Sequence, residues 1–258
     1  MNLGILAKYF DLEGKVALVT GSSRGIGYAI AEGVAAAGAH VVLNSRVEAD
    51  LVAAERRLVA QGLSASHTVF DVTDEAAVRA AVDAVNTDYG RLDIAIGNAG
   101  RTLRKPFAET TAKDWADNNA LILDACFYLA RAALPHMERL GEGRIIFTGS
   151  MLDRISRPST AAYSAAKAAV SGLARGLAVE VGRRGITCNV LAPGVIATEM
   201  TAPILDAAFL AWVGERAPMG RVGRPEDLVG AVLMLAGPGG GYCNGSVVVV
   251  DGGLTING

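Results

Sequence analysis

Short runs of β-branched and other apolar residues alternate along the chain with longer, Ala-rich amphipathic segments. Such an alternation predicts buried strands that are each followed by a helix. The predicted strands are Val16–Thr20, His40–Asn44, Ala65–Phe70, Ile94–Gly97, Arg144–Thr148, Thr187–Leu191 and Val247–Val250. The predicted helices are Ile26–Ala37, Glu48–Gln61, Asp74–Tyr89, Lys113–Glu138, Thr160–Arg183 and Pro225–Leu235.

This alternation continues over nearly the whole chain and predicts an α/β fold. Right-handed crossovers would place helices on both faces of a doubly wound parallel sheet of about seven strands. The sequence has no Pro/Ser-rich linker, charge block or internal repeat that would divide it. We therefore expect a single domain over residues 1–258.

The composition excludes several classes of protein. The 258 residues include 24 Lys+Arg and 26 Asp+Glu, so the net charge of -2 lacks the basic excess of a nucleic-acid-binding protein. Hydrophobic residues make up 51% of the chain, which excludes a disordered protein. The three histidines are too scattered along the sequence to predict a metal site.

The cysteines and the apolar segments indicate the compartment. Three widely spaced cysteines without a CxxC pair are typical of a reducing environment. The N-terminal residues do not resemble a signal peptide. Leu228–Val250 is uncharged and long enough to span a membrane, but glycine, proline and asparagine interrupt it. We expect a cytoplasmic protein that binds neither membranes nor nucleic acid.

The first predicted strand leads into a glycine-rich turn, Thr20-Gly21-Ser22-Ser23-Arg24-Gly25-Ile26-Gly27. Gly21 permits a tight turn, Gly25 lets the backbone approach a pyrophosphate, and Gly27 lets the helix pack closely on the strand. The free N–H groups at the helix start favour phosphate. The spacing differs from the usual GxGxxG, so a bare turn is the alternative. The candidate phosphate-binding residues are Gly21, Ser23, Arg24, Gly25, Ile26 and Gly27.

The residues after the second predicted strand indicate which dinucleotide is bound. A carboxylate there would hold the 2′-hydroxyl of an adenosine ribose, but the sequence reads Asn44-Ser45-Arg46. Arg24 and Arg46 could instead bracket a 2′-phosphate through charge-assisted hydrogen bonds. We therefore favour NADP(H), with NAD(H) and merely solvated arginines as the alternatives.

A candidate catalytic group follows the fifth predicted strand. Ser150 lies at the strand end, and Tyr163 and Lys167 lie four residues apart on the next helix, hence on one face of it. A free phenol titrates at about 10 and is a poor base, whereas a cation about 4 Å away favours the phenolate by roughly 4 kcal/mol. The three residues predict a tyrosine general acid/base and a serine that polarises a carbonyl oxygen.

Together these motifs resemble the short-chain dehydrogenase/reductase family, from about Leu12 to Gly253. The resemblance implies a Rossmann-type fold, an NAD(P)-dependent enzyme acting on CH–OH or C=O groups, and a homotetramer or dimer with Val250-Asp251-Gly252-Gly253 between subunits. It implies that Ser150, Tyr163 and Lys167 are catalytic. The further cofactor-binding residues that it implies are Ser45, Arg46, Asp71, Val72, Asn98, Ala99, Gly100, Tyr163, Lys167, Pro193, Gly194, Val195, Ile196 and Thr198.

One position departs from the family pattern. The family has a fourth catalytic residue, an asparagine seven positions after a helical tryptophan, and the count from Trp115 reaches Ile122. In the family this asparagine helps to bend the helix, so that a backbone carbonyl holds a water that links the lysine to solvent. We hypothesise that Asn118, one turn earlier, is a partial replacement. The alternative is that Asn118 and Asn119 only cap or solvate the helix.

Cationic residues cluster after two of the predicted strands. They are Arg101, Arg104 and Lys105 after the fourth strand, and Arg154 and Arg157 after the fifth. Convergent cations suit an anionic substrate such as a sugar acid, although loop cations are often only solvated. We assign Arg104 and Met151 to the substrate site.

A substrate lid is expected at about residues 195–220, because this segment is amphipathic. Its apolar residues either line an apolar substrate wall or pack on the domain. They are Met200, Ile204, Leu205, Phe209, Leu210 and Trp212.

Three stretches narrow the resemblance within the family. Val42–Arg46, Ser150-Met151 and Ala211-Trp212 with Arg216-Ala217-Pro218 are similar to the subgroup that acts on gluconate. This similarity implies a sugar acid, gluconate or 5-ketogluconate, as the substrate of NADP(H)-dependent hydride transfer. The 3-oxoacyl thioester reductases share every cofactor motif and are the alternative. A second alternative is a catalytically weak regulatory protein that binds the cofactor.

Overall fold

One parallel sheet forms the centre of the protein in the computed structural model, which describes residues 3–257. The strands in that range are β1 (Val16–Val19), β2 (His40–Ser45), β3 (Ala65–Val69), β4 (Ile94–Gly97), β5 (Gly143–Thr148), β6 (Ile186–Pro193) and β7 (Val247–Val250). Their order across the sheet is β3-β2-β1-β4-β5-β6-β7. The predicted doubly wound parallel sheet of about seven strands is confirmed.

Helices cover both faces of this sheet. They are α1 (Leu3–Phe10), α2 (Gly25–Ala36), α3 (Glu48–Ala60), α4 (Glu75–Tyr89), α5 (Ala112–Asn119), α6 (Ala125–Leu140), α7 (Ala161–Val181), α8 (Ala207–Arg216) and α9 (Val229–Ala236). One hydrophobic core lies between the sheet and α4, α6 and α7. A second core lies between the opposite face and α2, α3 and α9.

Strands β1 and β4, at the centre of the sheet, are apolar along their whole length because both faces are covered. Every residue of β1, β4 and β6 is buried. Burial of a leucine or isoleucine side chain contributes about 1.5–3 kcal/mol, so these strands fix the sheet firmly. Short strands with no polar alternation are what such a doubly covered sheet requires.

The strand order reverses next to β1, which determines where a ligand can bind. The chain proceeds from β1 to β2 and β3 on one side, and then returns to β4 on the other side. The crossovers leaving β1 and β4 therefore diverge and leave a crevice at the carboxyl ends of these strands.

The predicted helix Lys113–Glu138 is not continuous. Residues Ala120–Asp124 form a π-helical segment between α5 and α6. A π turn accommodates one extra residue and changes the direction in which side chains point. Both Asn118, at the end of α5, and Ile122, within the π segment, are buried as a result. The apolar periodicity alone predicts a continuous helix, whereas the resemblance to the family implies a bend near Ile122.

The run Ala112–Leu140 is long and apolar enough to cross a membrane by length and composition alone. Its inner positions, Leu129, Ala133 and Met137 among them, are fully buried in the core beside β4 and β5. We therefore interpret the run as a core helix of the α/β fold.

Helix α1 was not predicted from the sequence. It packs against α9 and the 3₁₀ turn Pro238–Gly240, and its Ile5 and Tyr9 side chains are half exposed. A helix of two turns is too short to give a clear hydrophobic period.

Candidate active site

A cleft of about 670 Å³ lies at the carboxyl ends of β1, β4, β5 and β6. This volume is in the range of small-molecule and cofactor sites. Every residue that the sequence assigned to cofactor, catalysis or substrate lines it. These are Gly21, Ser23, Arg24, Gly25, Ile26, Gly27, Ser45, Arg46, Asp71, Val72, Asn98, Ala99, Gly100, Arg104, Ser150, Met151, Tyr163, Lys167, Pro193, Gly194, Val195, Ile196 and Thr198.

The glycine turn fits a pyrophosphate because side chains are excluded from it. A Cβ on Gly21 would lie 2.8 Å from Ala99 Cα, and its φ of 62° favours glycine. A Cβ on Gly27 would lie 2.2 Å from the carbonyl oxygen of Gly21. Helix α2 begins here without a side-chain cap in the described residues, so its first N–H groups are free to bind phosphate.

Asn98 connects this turn to the catalytic side of the cleft. Its Nδ2 donates to the carbonyl oxygens of Thr20 (3.1 Å) and Gly21 (3.0 Å). The Thr148 hydroxyl donates to Asn98 Oδ1 at 3.2 Å, and Lys167 Nζ donates to the Thr148 carbonyl at 2.6 Å. Hydrogen bonds therefore join the ends of β1, β4 and β5 to helix α7.

The adenosine end of the cleft carries the two arginines expected to meet a 2′-phosphate. Arg46 Nη1 lies 3.4 Å from Asp71 Oδ2, and Arg24 Nη1 lies 3.3 Å from Glu199 Oε2. The backbone N–H of Thr73, and more weakly the Arg46 guanidinium, lower the pKa of Asp71. The arginines are 74% and 66% exposed, and such pairs contribute only about 0–1 kcal/mol. A phosphate dianion can therefore displace the carboxylates.

The Ser150 side chain is held in place by a hydrogen bond that does not use its hydroxyl proton. It caps the 3₁₀ turn Met151–Asp153, and its Oγ accepts a hydrogen bond from the Leu152 N–H at 3.1 Å. Because that bond uses the oxygen as an acceptor, the hydroxyl proton remains able to donate to a ligand. Ser150 is largely buried, so water competes weakly for it.

Tyr163 and Lys167 lie one turn apart on α7, as their spacing predicts. Lys167 Nζ is 5.7 Å from the centroid of the Tyr163 ring, and Lys167 is only 5% exposed. One ammonium hydrogen binds the Thr148 carbonyl, which leaves two for a ligand hydroxyl or the phenol oxygen. A buried cation, a phenol and a serine hydroxyl thus face the same cleft.

Asn118 is buried against the catalytic helix and does not face solvent. Its Nδ2 donates to the Ala162 carbonyl oxygen at 3.0 Å, next to Tyr163 in the chain. Ile122 is 1% exposed and belongs to the core. The alternative that Asn118 only solvates its helix does not agree with this burial.

Three of the five expected cations reach the cleft. Arg101, Arg104 and Arg157 line it. Lys105 is instead paired with Asp114 at 2.6 Å, and the Arg154 Nε lies 3.9 Å from Asp153 Oδ1. The convergent positive charge is therefore supplied by guanidinium groups.

The expected lid contains two helical segments. Residues Ala202–Ile204 form a 3₁₀ turn, and α8 follows it. Of its six apolar candidates, Met200, Ile204 and Phe209 line the cleft. The other three do not line it. They are Leu205, Leu210 and Trp212.

Asn44 and Thr148 are site residues that the sequence analysis did not single out. Asn44 is buried, and its Nδ2 donates to the carbonyls of Thr68 and Phe70, which ties β2 to β3 beneath the adenosine end. In the sequence, Asn44 and Thr148 could have been recognised as polar residues at the end of apolar strands.

Within residues 3–257, no group of three or more His, Cys, Asp or Glu side chains forms a metal site.

Comparison with known proteins gives consistent matches along the chain. A family model described as enoyl-(acyl carrier protein) reductase matches residues 21–255. The gluconate 5-dehydrogenase of Gluconobacter oxydans (strain 621H) is 44% identical over 96% of this chain and 97% of that protein. The 3-oxoacyl-acyl-carrier-protein reductase of Escherichia coli (strain K12) is 38% identical over 95% of this chain and 98% of that protein.

Solved structures agree with these matches. The gluconate 5-dehydrogenase of Burkholderia cenocepacia J2315, in complex with NADP and tartrate, is 41% identical with a TM-score of 0.93. The similarity covers 97% of this chain and 99% of that one.

The contact between Gly27 and the glycine turn predicts a stability effect. Gly27→Ala should lower the free energy of unfolding by about 1–3 kcal/mol, because the new methyl overlaps the Gly21 carbonyl. Gly230→Ala is the matched control, since nothing lies within 4 Å of its added Cβ. Urea unfolding at equal protein concentration measures both. Equal stability of Gly27→Ala and wild type would contradict the close approach.

Proposed function

The chain belongs to the short-chain dehydrogenase/reductase family, and from this we propose that it interconverts a sugar acid and its keto form, gluconate and 5-ketogluconate. It is an NADP(H)-dependent oxidoreductase acting on CH–OH and C=O groups. The observation that carries the substrate proposal is that Ser150, Tyr163 and Lys167 line one cleft together with arginines that have no carboxylate partner among the described residues. These arginines are Arg101, Arg104 and Arg157.

The catalytic residues have complementary roles in this proposal. NADPH, when bound, supplies the hydride to the carbonyl carbon. Tyr163 donates its phenol proton to the carbonyl oxygen, and Ser150 stabilises that oxygen through its free hydroxyl proton. Lys167 stabilises the phenolate that remains and offers its spare hydrogens to the ribose. Oxidation of the alcohol uses the same groups in reverse.

The cofactor is assigned to the glycine turn and the two exposed arginines. Gly21 and Gly27 leave room for the pyrophosphate, and α2 offers free N–H groups. Arg24 and Arg46 are proposed to bind the 2′-phosphate in place of their present carboxylate partners. The similar protein from Burkholderia cenocepacia has NADP bound, which supports NADP(H) over NAD(H).

The substrate carboxylate is assigned to the guanidinium groups at the open end of the cleft, with Arg104 as its main ligand. Arg104 has no carboxylate partner among the described residues. A planar guanidinium binds a carboxylate through two parallel hydrogen bonds. Met151 would provide an apolar wall beside Ser150. The similar structure that holds tartrate, a hydroxy acid, agrees with an anionic substrate.

The 3-oxoacyl thioester reductases are the second candidate, since one of them is 38% identical. The partly apolar lid, with Met200, Ile204 and Phe209 facing the cleft, favours this alternative. The regulatory alternative is weaker, because a cofactor-binding module needs no buried lysine beside a phenol.

We further propose that the protein is cytoplasmic and assembles as a homotetramer, with a dimer as the alternative. Trp115 and Phe127 on α5 and α6 are 45% and 43% exposed. The valines Val247–Val250 form an edge strand of the described sheet and are only partly buried. Association with further copies would cover such apolar surface.

A substrate panel tests the function. NADPH oxidation should be fastest with 5-ketogluconate, slower with neutral ketoses of equal length, and slowest with 3-oxoacyl thioesters; NADH should replace NADPH poorly. The convergent arginines are the reason, because only the sugar acid brings them a carboxylate. A preference for thioesters would select the alternative enzyme. Saturable NADPH binding without turnover of any substrate would select the regulatory protein.

Tyr163→Phe tests the acid/base assignment. Turnover should fall at least about 100-fold, since the proton donor is lost. The Kd for NADPH should stay within about 3-fold, because the ring and Lys167 remain. Tyr242→Phe, at a fully exposed position, is the control and should leave both values unchanged. Surviving activity in Tyr163→Phe would refute the role.

Asn118→Ala tests whether this asparagine positions the catalytic helix. Loss of the bond to the Ala162 carbonyl should lower kcat by roughly 10-fold and leave the Kd for NADPH unchanged. Asn119→Ala is the neighbouring control and should behave as wild type. Unchanged turnover of Asn118→Ala would remove Asn118 from the mechanism.

A further inference from the structure

Arg157 connects the substrate end of the cleft to the lid helix. Its guanidinium carbon lies 4.2 Å from the ring centroid of Trp212 and 4.6 Å from that of Phe209. These two rings of α8, which we call the aromatic pair, stack with centroids 5.6 Å apart and planes at 21°. A guanidinium stacks on aromatic faces with favourable electrostatics, so Arg157 is a contact that holds α8 in place.

The backbone that carries Arg157 is fixed on both sides. The Arg157 N–H donates to Thr160 Oγ1, whose hydroxyl donates back to the Arg157 carbonyl at 2.7 Å. Ser159 has a φ of 64°, which the surrounding bonds must maintain. The Ser159 carbonyl accepts from the Lys105 N–H at 2.9 Å, next to Arg104. The two arginines therefore project from loops that are tied together.

The charge of Arg157 has no carboxylate partner among the described side chains. Burial, together with the like charge of Arg104, lowers the pKa of Arg157 from its ordinary value. The guanidinium carbon lies near the two rings, a guanidinium has five N–H donors, and Arg157 also lines the cleft, where such donors can meet a ligand. An anion between Arg104 and Arg157 would relieve their repulsion and accept hydrogen bonds from both.

We propose that Arg157 makes closure of α8 depend on the negative charge of the substrate. The carboxylate binds the guanidinium, and the guanidinium then holds the aromatic pair in place, with the Phe209 ring at the wall of the cleft. A neutral substrate leaves the repulsion between Arg104 and Arg157 uncompensated, so the contact of Arg157 with the aromatic pair is weaker than with an anion bound. Arg157 is thus a specificity-determining residue: it binds the negatively charged group of the substrate, and this binding stabilises the position of α8. This inference rests on the proposed function, because it requires an anionic substrate.

The kinetic test compares charged and neutral substrates. In Arg157→Gln, kcat/KM for 5-ketogluconate should fall about 10- to 100-fold, as expected for loss of hydrogen bonds to a charged group. The value for a neutral ketose of equal length should change less than about 3-fold. Arg216→Gln is the matched control, since Arg216 lies 5.6 Å from the same Trp212 ring but does not line the cleft. It should preserve the discrimination between the two substrates.

A binding experiment measures the response of α8 to the ligand through tryptophan fluorescence, without turnover. The chain has two tryptophans, so Trp115→Phe leaves Trp212 as the single reporter of α8. In a Trp115→Phe/Tyr163→Phe background loaded with NADP⁺, D-gluconate should change the Trp212 emission saturably. Adding Arg157→Gln should abolish the change. Adding Arg157→Lys, which keeps the charge without the planar stack, should weaken it while retaining part of the affinity.

The outcomes separate the inference from the function. If wild type reduces 5-ketogluconate and Arg157→Gln retains both its preference for the charged substrate and the emission change, the inference is overturned and the function stands. If Arg216→Gln loses the discrimination equally, the effect belongs to Trp212 packing, which also overturns the inference. If wild type reduces no sugar acid, the proposed function fails, and the charge-dependent lid fails with it.

Discussion

The side-chain amide of Asn98 is the interaction on which the rest of the site depends. It binds the carbonyls of Thr20 and Gly21 on one side and accepts from Thr148 on the other. Thr148 in turn accepts from Lys167 on the catalytic helix. The glycine turn and the catalytic helix belong to different crossovers of one sheet, and this chain of bonds adds a direct side-chain connection between them to the strand pairing. A hydride donor and a proton donor need a fixed separation.

Arginines line the cleft at two places, the adenosine end and the substrate end, and their surroundings differ. At the adenosine end, Arg24 and Arg46 are exposed and weakly paired, so they can exchange a carboxylate for a phosphate at little cost. At the substrate end, Arg104 and Arg157 both line the cleft, and burial together with the like charge of Arg104 lowers the pKa of Arg157. That arrangement costs free energy in the free protein. We propose that an anionic substrate recovers this free energy on binding, so that affinity depends on the charge of the substrate.

The sequence was sufficient for the sheet and the glycine turn, because both depend on local signals, whereas most of the other residues that line the cleft were expected from the resemblance to the family. Apolar runs predict the strands, and Gly21 and Gly27 lie in the close-packed turn after β1 that the sequence predicts. Phosphate binding at this turn stays a prediction. Contacts between distant segments were not predictable. The π segment at Ala120–Asp124, the burial of Asn118 and the stacking of Arg157 on Trp212 all arise from tertiary packing. The ion pairs of Lys105 and Arg154 were not predictable for the same reason, since loop geometry decides their partners.

The central claim is that one cleft orients a sugar acid between the catalytic group and the arginines. The most direct measurement is a crystal structure of the wild-type protein with NADPH and D-gluconate, a pair that cannot react. The account predicts the C5 oxygen within about 2.6–3.2 Å of both Tyr163 Oη and Ser150 Oγ, with the carboxylate at Arg104 and Arg157. A carboxylate directed away from both arginines, or a C5 oxygen beyond the reach of Tyr163, would contradict it.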